Sequence, residues 1–178
     1  MGKGPTIYGA GVTPVGVYML GQSYRAHADA LEAASSHIRL HFSDHPRRLL
    51  YFQALEHFLR GFLRLNRVDP VQIRAYQHNF TAMLDCGKSH GLRVSGTAEE
   101  FIRSSTFRND YVRIRYDFNI EEDLDTDTDW DVDPEDLKRE SMRELRQAVF
   151  ELEDFLGKEI NATGREVILP PEISAVYR

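Results

Sequence analysis

Residues 47–65 read RRLLYFQALEHFLRGFLRL, and no other stretch constrains the fold as strongly. At helical spacing, Leu49, Leu50, Phe52, Leu55, Phe58, Leu59, Phe62 and Leu63 cover more than half of the circumference. A helix that apolar must be covered on several sides, so it is expected at the centre of a bundle. Pro46 suits its first turn, and Gly61 suits a close helix contact.

The flanking segments supply the covering helices. From Tyr24, the residues Ala28, Leu31, Ala34 or Ser35, Ile38 and Phe42 recur three or four apart, and SDHP then ends the period. Asp69-Pro70 opens a short helix or turn, and Phe80, Met83 and Leu84 form a shorter amphipathic segment. Thr97 and Glu100 have capping-box spacing, which predicts a helix over about 98–108. Val112, Ile114, Tyr116 and Phe118 alternate with charged residues, the pattern of extended chain. Asp133-Pro134-Glu135-Asp136 is a strong helix start. Leu137, Leu145, Ala148, Val149, Leu152 and Leu156 continue it as a stripe to about 157–160. The expected fold is all-α: one up-and-down bundle of four to five helices over 21–160. A flexible, Gly- and Pro-containing arm over 1–20 precedes it, and an extended tail over 161–178 follows.

The formal charge of −6 hides a division. Residues 121–136 hold ten acids and no base, leaving 22 basic and 18 acidic residues elsewhere. The acidic loop, 121–133, precedes the last long helix. The bases are 18 Arg and 4 Lys, which favours forked contacts to carboxylate or phosphate. A body of about +4 is not by its charge alone a nucleic-acid-binding signature. No apolar run of about eighteen residues exists, so no membrane span is expected. One cysteine, Cys86, allows no intrachain disulfide, which suits a reducing, cytoplasmic setting.

Four pieces resemble the HEPN family (higher eukaryotes and prokaryotes nucleotide-binding domain). These are Ala54-Leu55-Glu56 with Arg60, His78-Asn79-Phe80, Tyr111 with Arg115 and Tyr116, and the long helix from Pro134. The resemblance spans about 20–160. It implies a helical bundle, often a homodimer, often paired with a small nucleotidyltransferase. Many members are metal-independent RNases with an Arg-x(4–6)-His motif, several in toxin–antitoxin or defence systems. Others lack the motif and bind nucleotides or partners. At the expected place this chain reads RNDYVRIRY, with Arg113 where active members keep His and Arg115 where they keep Tyr. Arginine stays protonated and cannot serve as a general base.

The leading expectation is therefore a non-catalytic protein that binds nucleotide, RNA or a partner protein through Arg108, Arg113, Arg115 and Tyr116. One alternative is a metal-independent RNase that uses Arg39 with His45, or Arg108 with His78. Arg39-x5-His45 is a literal match, but about two such matches are expected by chance in a chain so rich in Arg and His. Another alternative is a structural or regulatory scaffold, with Arg115 merely paired to Glu56 or Asp110. No metal or cofactor is expected. His37, His41 and His45 read as a polar helix face, Cys86 and His90 as a helix end. The Asp ladder from Asp123 to Asp133 lacks the Gly and Glu of a calcium loop.

Overall fold

The computed structural model describes residues 11–35, 44–116 and 134–170, with side chains in 11–34, 44–116 and 141–170. Those residues form seven helices and no strand. They are α1 (Pro14–Ser35), α2 (His45–Leu65), α3 (Pro70–Ala75), α4 (Phe80–Ser89), α5 (Gly96–Phe107), α6 (Asp110–Tyr116) and α7 (Pro134–Ala162). The acidic loop, Arg39, His37, His41 and residues 171–178 lie outside the described residues. No described helix is long and apolar enough to cross a membrane.

Helix α2 is the axis. It touches α1, α3, α4, α6 and α7, and ten of its residues are buried. Tyr51, Phe52, Leu55, Phe58, Leu59, Phe62 and Leu63 face those neighbours. Helix α7 closes the opposite side through Leu145, Ala148, Val149, Leu152, Leu156 and Ile160, three or four apart. It runs a little past the expected end.

Three local expectations are corrected. Helix α1 starts at Pro14, inside the stretch read as an arm. The Thr13 hydroxyl accepts from Gly16 N at 3.1 Å, Pro14 takes the first turn, and Val17 and Tyr18 are buried. One glycine of this helix has a packing role. A Cβ on Gly21 would lie 2.6 Å from Phe58 Cε1, so this position lets α1 and α2 meet.

The cap of α5 is Ser95, not Thr97. Its hydroxyl accepts from Ala98 N at 3.2 Å. The reciprocal carboxylate comes from α7, where Glu151 Oε2 accepts from Ser95 N at 2.7 Å. Residues 110–116 are helical rather than extended. Asn109 turns into the left-handed region, with φ 56°, and its carbonyl accepts from Val112 N and Arg113 N. Tyr111 and Ile114, three apart, turn inward, while Val112 and Tyr116 are exposed.

A charged seam joins α1 to α7. Glu153 is 0% exposed, yet Arg25 Nε lies 2.5 Å from its Oε2 and Gln22 Nε2 donates to its Oε1 at 2.9 Å. Burial pushes the Glu153 carboxyl above its ordinary range, against the pull of Gln22 and Arg25. After α7, the chain is tied back where Ile168 O accepts from Tyr18 Oη at 2.9 Å and Gln22 Nε2 at 2.8 Å.

Gly21→Ala is expected to destabilise the fold by about 1–3 kcal/mol, because the methyl meets the buried Phe58 ring. Urea unfolding checks this. A gain in stability, as helix propensity alone would give, contradicts the close approach.

Candidate functional site

Two polar side chains of α2, Gln53 and Glu56, turn toward α4 and α6 and organise the candidate site. Glu56 is buried and holds two partners. Its Oε1 lies 2.7 Å from Arg60 Nη2, and its Oε2 lies 3.1 Å from His78 Nδ1. The Nδ1–H tautomer of His78 donates to Glu56 and leaves Nε2 as an acceptor. Gln77, one residue earlier, has φ 49°, and its carbonyl accepts from Arg60 Nη2 at 2.8 Å. Asn79 then caps α4, accepting from Ala82 N at 2.9 Å, and Phe80 enters the core against Phe52.

Tyr111 of α6 completes this cluster. Its ring stands 4.7 Å from the His78 ring and meets Phe80 edge-on at 5.7 Å. Gln53 Nε2 donates to its hydroxyl. Burial, with the Glu56 charge beside it, raises the Tyr111 hydroxyl above its ordinary pKa, and Arg115 pulls the other way. The Arg115 guanidinium lies over two rings, 5.3 Å from the Tyr111 centroid and 5.0 Å from that of Tyr116. Tyr116 is 66% exposed, so one face of this stack is open to solvent.

Three short sequence pieces, centred on Glu56 and Arg60, on His78, and on Tyr111 and Arg115, thus meet in one cluster. The other expected residues fare differently. Arg108 is taken up by Asp110, with Nη2 and Oδ2 2.8 Å apart, and makes no hydrogen bond or ion pair with His78. Arg113 is exposed in the last turn of α6, near Arg115. His45 sits at the start of α2 with Nδ1 3.6 Å from Asp44 Oδ1, and its companion Arg39 is outside the described residues. The pairing of Arg115 with Glu56 or Asp110 is not seen. Those carboxylates hold Arg60 and His78 in one case and Arg108 in the other.

Beside the cluster, α2 and α3 bound an open groove of about 630 Å³. Arg60, Arg64, Arg74 and His78 line it, and among the described residues no carboxylate does. Arg64 Nη1 donates to Val12 O at 2.9 Å. Burial, and then the charge of Arg60, lower the Arg64 pKa from its ordinary value. Sequence reading missed this feature. Arg60 and Arg64 are one helical turn apart, but only the turn through residues 66–69 brings Arg74 opposite them. Among the described residues, no three of His, Cys, Asp and Glu converge as a metal ion would require.

No family model, no curated protein and no solved structure matches this chain.

Glu56→Gln removes the charge shared by Arg60 and His78. A loss of about 1–2 kcal/mol is expected, modest because both partners are partly solvated. Denaturant unfolding, together with a shift of the His78 ring resonances, checks it.

Proposed function

We propose that this chain is a HEPN-like helical protein that acts by binding a nucleotide or RNA, with Arg113, Arg115 and Tyr116 as contact residues. The observation that carries the reading is the Arg115 stack. A guanidinium lies over the rings of Tyr111 and Tyr116, without a carboxylate partner among the described residues. Its N–H edge suits phosphate, and the exposed Tyr116 ring suits a base. Arg108, committed to Asp110, contributes less. Arg113 occupies the position where nuclease members keep histidine, so it would hold phosphate without acting as a base. A homodimer, a nucleotidyltransferase partner and a toxin–antitoxin or defence setting belong to the same reading.

A metal-independent RNase is the second reading, favoured by one observation. Glu56 orients His78 through Nδ1, which leaves Nε2 beside the groove. Arg39, the companion of His45, lies outside the described residues.

Arg115→Ala and Tyr116→Ala are each expected to weaken RNA or nucleotide binding about tenfold, with helical content unchanged. Fluorescence anisotropy measures the first effect and circular dichroism the second. Unchanged affinity in both variants removes these residues from the site. RNA cleavage in EDTA that is lost in His78→Gln would replace the binding reading with the nuclease one.

A further inference from the structure

We infer that the groove between α2 and α3 is a second phosphate-binding segment, and that the ligand is therefore a single-stranded nucleic acid long enough to occupy the groove and the Arg115 stack together. This deepens the proposed function and rests on it. Arg60 and Arg64 stand on successive turns of α2, where like charges repel. Arg74 of α3 adds a third guanidinium to the same groove, and among the described residues no carboxylate lines it. Arg60 makes both of its polar contacts through Nη2, to Glu56 and to the Gln77 carbonyl, which leaves Nη1 uncommitted. The lowered pKa of Arg64 reflects burial and the charge of Arg60, and an anion there would relieve both charges.

One residue, His78, links the groove to the stack. His78 lines the groove and also contacts the Tyr111 ring, on which Arg115 lies. Several phosphate forks in the groove, with an exposed aromatic ring in the stack that His78 links to it, match a sugar–phosphate strand with a base at one end better than they match a single phosphate. An acidic peptide would use the same forks but would leave Tyr116 without a stacking partner.

The test uses the full chain, labelled oligoribonucleotides of about three and about ten nucleotides, and a mononucleotide. Arg74 is exposed, so Arg74→Glu is expected to fold normally. It should weaken the longer oligomer at least tenfold and leave the mononucleotide and the short oligomer within twofold. Arg74→Ala should reduce the slope of log affinity against log salt by about 0.7. Arg115→Ala should weaken all three ligands. If Arg74→Glu changes nothing while Arg115→Ala still weakens binding, the groove is not part of the site and the proposed function stands. If Arg115→Ala is silent while Arg74→Glu acts, the stack is wrong, and so is the path that joins it to the groove. Displacement of the longer oligomer by an oligoglutamate peptide as readily as by unlabelled RNA overturns the inference in favour of an acidic protein partner.

Discussion

The structure depends on the wide apolar surface of α2, which other helices must cover. Burial of large apolar side chains is worth about 1.5–3 kcal/mol each, and α2 carries seven that are nearly or fully excluded from solvent. Every other feature follows from how that surface is covered. Helices α1 and α7 cover it along its length, and the short helices α3, α4 and α6 cover the remaining sides. The few polar residues on the same surface, Gln53 and Glu56, then face protein rather than solvent and need partners there. Tyr111 satisfies one, and Arg60 with His78 satisfies the other. The candidate site is thus the polar remainder of a hydrophobic requirement.

This origin explains why the site residues have structural as well as functional readings. His78, Asn79 and Phe80 do three different jobs in three successive positions: ion pair, helix cap and core. Tyr111 fills the core with its ring and answers Gln53 with its hydroxyl. Arg115, Tyr116 and the exposed Arg74 of the groove are less committed to the fold than Arg60 and Arg64, and so carry the functional argument. The Glu153 seam is the counterexample. Its charges are enclosed by α1 and α7 and meet each other, so they act on helix register rather than on a ligand.

Much of the helical content was legible from local signals. Pro46, Asp69-Pro70 and Pro134 each mark a real helix start, because proline at the first turn loses no hydrogen bond. Two readings of local pattern misled. The Gly- and Pro-containing stretch over 1–20 looked like an arm, although α1 starts at Pro14 and buries Tyr18 against Phe58. Residues 111–118 alternate like a strand, but Tyr111 and Ile114 turn inward at helical spacing over the part described. In both cases the deciding contact lies on another helix.

The sequence by itself determined that this chain is an all-α bundle built round residues 47–65, since periodicity and caps are local properties. It also singled out Arg108, Arg113, Arg115 and Tyr116 as candidate contact residues ahead of the last helix. Only the tertiary structure decided that Glu56, His78 and Tyr111 meet, and that Arg74 faces Arg60 and Arg64 across a groove. The physical reason is range. A helical turn relates residues three or four apart, whereas Glu56 and Tyr111 are brought together only by the packing of α4 and α6 against a helix that had to be covered.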